Sequence, residues 1–326
     1  MQLRLTPETL EQIADRTGMS RDYLSVQLQE MVQKGQIFLL KLGGMTFYRL
    51  LPWAVGVFEF QLGRMDRELA ALADEYFKSV DVRELFEVKP AIMRTIPIET
   101  AVAGQSEIAS YESVRSMLER ATSFAVGDCI CRKKAHLLGK GCDKPMETCL
   151  RIAPFDNIFD DMLKELSPEN NYIGRVISKE EAFRIIDMTE EAGLVHVVEN
   201  YKEGILNICN CCSCCCIPLQ AIHRWGIASG SLAKSHYVAI VDEDLCTGCE
   251  TCVERCQVDA IRVDYYAKIN ERCIGCGLCV TTCPTEAIRL IKRSSDEMED
   301  IPEYEIDRFE KRAAARDKLE DYKKLL

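Results

Sequence analysis

The residues best equipped for chemistry are the cysteines, eighteen of them in a chain of 326. The most regular stretch reads Cys246-Thr-Gly-Cys249-Glu-Thr-Cys252-Val-Glu-Arg-Cys256, then sixteen residues, then Cys273-Ile-Gly-Cys276-Gly-Leu-Cys279-Val-Thr-Thr-Cys283-Pro284. The two runs lie 27 residues apart, and their sequels repeat as well: Asp259-Ala260-Ile261-Arg262-Val263 aligns with Glu286-Ala287-Ile288-Arg289-Leu290. One unit has been duplicated. Three cysteines at two-residue gaps make a tight loop that offers three thiolates to one face of an iron–sulfur cubane; the fourth thiolate must come from farther away. Zinc also takes thiolates, but zinc ribbons use two separated cysteine pairs rather than four cysteines in eleven residues.

Ten cysteines remain. Cys129, Cys131, Cys142 and Cys149 lie among glycine- and proline-containing turns, spaced to serve one metal centre, with Arg132, Lys133, Lys134, Lys140, Lys144 and Arg151 around them. Positive charge beside thiols favours thiolates and steadies an anionic cluster. The centre is read as a [4Fe-4S] site, with structural zinc as the alternative. The second group is Cys209-Asn-Cys211-Cys212-Ser-Cys214-Cys215-Cys216, six cysteines in eight residues. Neighbouring cysteines point in different directions, so all six do not serve one cubane. Some are expected to ligate an additional cluster, to complete the Cys129–Cys149 site, or to act as redox-active thiols. Ten cysteines suffice for two four-cysteine centres with two left over, or for one centre and a thiol site.

From about Tyr237 to Arg293 the chain resembles the two-cluster bacterial ferredoxins. In that family the fourth cysteine of each run ligates the other cluster. The resemblance implies that Cys246, Cys249, Cys252 and Cys283 hold one [4Fe-4S] cluster and that Cys273, Cys276, Cys279 and Cys256 hold the second. Gly248, Gly275 and Gly277 fit loops where side chains would crowd the sulfides. Pro284 matches the family pattern, whereas Gln257 stands where the first run would carry a proline. The whole layout looks like multi-cluster iron–sulfur-binding proteins of strict anaerobes, a resemblance that assigns no reaction.

Composition narrows the function classes. Net charge is −11, which argues against a nucleic-acid-binding chain and suits docking on a basic patch of a redox partner. Hydrophobic residues make up 47% and charged residues 29%, as in globular proteins. The first ten residues lack an apolar signal core, and no apolar run approaches the ~18 residues of a membrane span. The expectation is a reducing, cytoplasmic compartment. No glycine-rich phosphate loop, HExxH or serine nucleophile elbow is present. Cys252-x3-Cys256 is not followed by the further cysteine of a radical S-adenosylmethionine motif.

The elements that must position these cysteines are read as an α+β chain. Residues 1–51 predict a winged-helix-like module: a helix opened by Thr6-Pro7, a second over Arg21–Lys34, then a hairpin around Gly43-Gly44. Residues 1–60 carry six basic and six acidic residues, without the basic stripe of a duplex reader. Residues 52–122 predict a helical connector, with one long helix over 52–79 whose apolar face packs or forms a homodimer seam, a loop-rich 82–106 and a helix over 110–122. Residues 123–236 are expected to form a helical cysteine-rich domain, with Ser178-Lys-Glu-Glu181 capping a helix and a strand over 194–198. Residues 237–293 should fold as (βαβ)2, and 294–326 as a charged exposed helix. The leading functional expectation is single-electron transfer through two clusters and one or two middle-domain centres, as a redox component rather than a stand-alone enzyme. The alternatives are an oxidoreductase with a substrate-reducing cluster in the middle domain and a redox-sensing DNA-binding regulator.

Overall fold

The computed structural model describes residues 3–79, 86–102, 109–166, 170, 172–225 and 231–326. Its central element is a sheet of short strands, most of which carry Val, Ile or Thr. Seven strands lie in the order Leu232–Ala233, Met93–Ile96, Val195–Glu199, Asn207–Cys211, Glu147–Ala153, Ser123–Asp128 and Arg175–Val176. The first pair is parallel and the others antiparallel. The middle domain is therefore sheet-based rather than helical: strands lead to Cys129 and carry Cys149, Cys209 and Cys211, while the segment around Cys142 is irregular, with turns and bends. Met93–Ile96, inside the expected loop-rich connector, is a buried strand of this sheet. The rest of that connector falls partly on 82–85 and 103–106, outside the described residues.

Strand side chains alternate between faces. On one face Leu150, Val198 and Ile208 pack under the helices Val114–Arg120 and Lys179–Glu191 through Leu118 and Ile186. Ser113 and Ser178 cap these helices by accepting from the Ser116 and Glu181 amides. On the other face Cys209 and Cys211 sit opposite Val197 and Val195. The register of Leu150 with Ile208 brings Cys149 beside Cys209.

The N-terminal segment forms helices Leu10–Thr17 and Arg21–Gln33, then a hairpin of Ile37–Leu42 with Met45–Leu50, with Glu8–Thr9 added to its edge. The first helix is capped by Thr9 and Gln12 rather than by Thr6, whose hydroxyl donates to the Leu326 carbonyl at 2.8 Å. The expected long helix over 52–79 is broken. A π-type turn spans Trp53–Val57, a 3-10 segment Glu59–Arg64, and the α-helix covers only Arg67–Ser79. Pro52, Gly56 and Gly63 weaken helical continuity, and Asp66 opens the α-helix by accepting from the Leu69 amide. Phe58, Leu62, Met65, Ala70, Ala73 and Phe77 of this stretch pack inside the chain, against Ile130 and Ile217.

The charged tail is largely exposed, but it forms two helices where one was expected. Helices Glu305–Ala314 and Leu319–Lys323 fold back, and Arg308 is buried with its guanidinium donating to the Ile92 carbonyl at 2.7 Å. In the C-terminal domain Tyr237–Val241 pairs antiparallel with Ile288–Lys292, and Ile261–Val263 with Ala267–Ile269. One helix, Thr251–Arg255, carries the third cysteine of the first run, Cys252; the equivalent stretch 278–282, which carries Cys279, is reduced to turns. None of the eighteen cysteines is in a disulfide. Among the described residues no helix is long and apolar enough to cross a membrane.

Candidate metal centres

The duplicated runs build two cavities. One is lined by Cys246, Cys249 and Cys252 together with Cys283, the other by Cys273, Cys276 and Cys279 together with Cys256. The fourth cysteine of each run thus faces the first three of the other. The duplication is visible in the backbone: Gly248 and Gly275, Glu250 and Gly277, and Asp259 and Glu286 all take positive φ at matching offsets. At Gly275 a Cβ would lie 2.0 Å from the Tyr237 carbonyl oxygen, so only glycine fits that turn. Backbone amides point at the sulfurs, Ala260 N–H to Cys256 Sγ at 3.2 Å and Ala267 N–H to Cys246 Sγ at 3.3 Å.

These residues fit iron–sulfur clusters. Burial pushes the Cys276 thiol up to about 12 and raises Cys279 as well. Sulfurs in such surroundings become thiolates only beside a compensating cation. The two environments differ. Ile261, Ile274, Leu278 and Leu290 wall the Cys273 site, whereas Thr247, Glu250, Thr251 and Thr285 surround the Cys246 site, where Cys249 is exposed.

Two family models, each described as a 4Fe-4S dicluster domain, match residues 239–290 and 272–313. The C-terminal domain is ferredoxin-type. It holds two [4Fe-4S] clusters, whose chemistry is one-electron transfer. No curated protein matches the chain.

The ten other cysteines do not divide as their order suggests. Cys142 stands apart from Cys129, Cys131 and Cys149, and the six-cysteine run splits between two places. Cys129, Cys131, Cys149, Cys209, Cys211 and Cys216 line a cavity of about 340 Å³. Strand pairing brings Cys149, Cys209 and Cys211 to it. Cys129 and Cys131 arrive at the start of the helix Ile130–Leu137, and Cys216 just before the helix Ile217–Trp225. The thiols of Cys149, Cys209, Cys211 and Cys216 hydrogen-bond in succession and Cys129 bonds Cys131 separately; Cys149 and Cys211 together pull Cys209 down to about 6. Trp53, Phe58, Tyr76, Phe77 and Phe86 form an apolar wall, and Arg308, Arg312 and Arg316 bring positive charge from the tail. Glu59 also lines the cavity; burial raises its carboxyl to about 8. Glu59 and the tail arginines carry no motif, and only the fold places them here.

Cys142, Cys212, Cys214 and Cys215 form the second group, with all four sulfurs within 4.8 Å of one another. The Asn207–Cys211 strand ends where this group begins. In the following turn the Cys216 amide donates to the Cys212 carbonyl at 3.0 Å, folding the run back on itself. Between the two groups lies Arg132, fully buried, donating to Thr148 Oγ1 at 3.0 Å, the Asn210 carbonyl at 3.2 Å and Cys212 Sγ at 3.6 Å. Of the basic residues noted around the cysteines, Arg132 touches sulfur, whereas Lys133 bonds the Leu62 carbonyl and Lys134 pairs with Asp74. His136 hydrogen-bonds the Cys142 carbonyl at 2.9 Å.

Proposed function

We propose that the protein transfers single electrons inward, from the exposed Cys249 edge of the ferredoxin-type domain to a third iron–sulfur centre in the six-cysteine cavity. The observation that carries this reading is a shared core: Cys252, Cys273 and Cys279 pack in one buried apolar cluster with Cys211, Cys216 and Leu219. Apolar packing excludes water from the space between the sites and holds their separation fixed. The acidic chain suits a redox partner presenting a basic patch, in a reducing, cytoplasmic setting.

The N-terminal segment belongs to this reading as a winged-helix-like docking module. Its second helix uses Gln29 and Gln33 to hold the Glu165 carbonyl, at 3.5 and 2.6 Å.

Iron and sulfide content of anaerobically purified protein tests the proposal. About twelve irons are expected, falling by about four when Cys129, Cys149 and Cys209 are changed together to Ala. Eight irons, unchanged in that variant, overturn it.

A second reading is favoured by the cavity itself. Its volume of about 340 Å³ lies within the range of small-molecule sites, and three arginines reach it. On this reading the cavity centre reduces a small anionic substrate. Cyanide added to the reduced protein should change the spectrum of that centre, and the change should vanish in the triple variant. Spectral silence across the titration sinks it.

A further inference from the structure

The four sulfurs of Cys142, Cys212, Cys214 and Cys215 are too close together for a cubane. Cys142 Sγ lies 3.8 Å from Cys212 Sγ and 3.8 Å from Cys215 Sγ, and Cys214 Sγ lies 3.7 Å from Cys215 Sγ. A tetrahedron with metal–sulfur bonds of about 2.3 Å has edges of about 3.8 Å. A cubane places each thiolate on a different iron and so spreads its sulfurs well beyond one such edge. We infer that these cysteines form a mononuclear tetrathiolate site that holds zinc as a closed structural centre, distinct from every iron–sulfur site of the chain.

The surroundings support a single closed ion. Cys212 and Cys215 are buried, and Ala135, Ala192 and Leu194 pack against the group, leaving little room for a substrate. Four thiolates on one divalent ion carry a net charge of −2, and the buried Arg132 guanidinium at 3.6 Å from Cys212 Sγ offsets part of it. The loop bearing Cys142 is held in shape independently: His136 bonds its carbonyl, and a Cβ on Gly141 would lie 2.5 Å from the His136 ring. The three cysteines of the turn and the one of the loop meet across 70 residues of chain. A zinc ion here ties the helix Ile130–Leu137 to the end of the Asn207–Cys211 strand. That strand and helix also carry Cys209, Cys211 and Cys131 of the neighbouring cavity.

The test does not depend on how many irons the six-cysteine cavity holds. Metal analysis of the full-length protein, purified anaerobically without added metal, should show about one zinc per chain beside the iron. Cys142→Ser and Cys215→Ser should each lose the zinc and leave the iron content unchanged. Zinc-edge X-ray absorption on the unmodified protein should find four sulfurs at about 2.3 Å, a readout independent of whether the variants fold. Loss of about four irons in Cys142→Ser would make the site a cluster and overturn the inference. Loss of one iron, a Cys142–Cys212 disulfide, or no metal beyond the iron of the other sites would overturn it equally.

Discussion

The side-chain oxygen of Gln257 accepts two hydrogen bonds from Ser213, from its amide at 3.0 Å and its hydroxyl at 3.2 Å. Ser213 sits in the middle of the six-cysteine run, and Gln257 directly follows Cys256, which lines the buried ferredoxin-type cavity. The glutamine that replaces an expected proline therefore clamps the two cysteine-bearing segments together. Arg255 strengthens the same seam by donating to the Glu190 and Glu191 carbonyls, and Arg272 by donating to the Ile222 carbonyl.

Cys256 has φ −75° and ψ 112°, a conformation that tolerates a following proline. The departure from the ferredoxin pattern is thus explained by the clamp, with no demand from the backbone before it. Gln257→Pro should keep both ferredoxin-type clusters while losing two hydrogen bonds, a cost of about 1–2 kcal/mol. Denaturant unfolding checks the loss, and iron content checks the clusters.

The exchange of fourth ligands makes a prediction about which variants look alike. Cys283→Ser should damage the same site as Cys249→Ser, although Cys283 belongs to the other sequence run. Cys256→Ser should match Cys273→Ser. Electron paramagnetic resonance of the reduced proteins reads the surviving ferredoxin-type signal in each. If Cys283→Ser instead matches Cys273→Ser, each run closes its own site and the lining of the two cavities does not reflect ligation.

The ferredoxin-type domain was legible because its ligands repeat locally, and the positive-φ positions keep the same 27-residue offset from Gly248 to Gly275. The middle domain was less legible because the fold, and not the order of the chain, groups its cysteines. Cys149 and Cys209 meet across two antiparallel strands, and Cys142 meets Cys212, Cys214 and Cys215 across 70 residues of chain. Proximity in sequence grouped Cys142 with Cys149 instead. The run Phe124–Val126 is too short for periodicity to separate strand from helix. Over 52–79 the apolar period persisted through Gly56 and Gly63, so a broken element kept the pattern of a continuous one. Arg308 is buried and Arg312 half-buried because they donate to backbone carbonyls of Ile92 and of Val88 and Pro90, which no sequence pattern announces.

Asp74 ties the helix Arg67–Ser79 to the helix that carries Cys131. Its carboxylate lies 2.7 Å from Lys78 Nζ, 3.0 Å from Lys134 Nζ and 3.5 Å from Lys140 Nζ. Burial alone would raise its pKa, but hydrogen bonds from Lys78 and Lys134 and their charges hold it well below the usual carboxylate range. A depressed folded-state pKa contributes stability above the unfolded value of about 3.9, and that contribution is lost as pH falls below it. Asp74→Asn should therefore be less stable than the parent at pH 7, by about 1–3 kcal/mol as the buried Lys134 loses its partner. The gap should narrow as pH drops below about 4. Unfolding midpoints of both proteins from pH 7 to pH 3.5 check the sign. A gap that widens in acid would show that Asp74 is not the titrating group.

Arg132 is the residue on which both middle-domain cysteine groups converge. Its guanidinium donates to the Pro145 and Asn210 carbonyls, to the Thr148 hydroxyl and to Cys212 Sγ, and it is wholly buried. A cation that deep is stable only because thiol sulfurs face it; the charges of Cys129, Cys212 and Cys211 all raise its pKa. Arg132→Met removes the charge and leaves two carbonyls and a hydroxyl without donors, so a loss of about 3–5 kcal/mol is expected. Arg132→Lys separates charge from geometry. A lysine keeps the cation, but a single ammonium on an unbranched stem cannot span acceptors that the planar fork reaches together. Lysine should therefore recover less than half of the lost stability, and zinc should pass to a competing chelator faster than from the parent. Full recovery by lysine would mean that charge alone matters here and that the fork geometry is incidental.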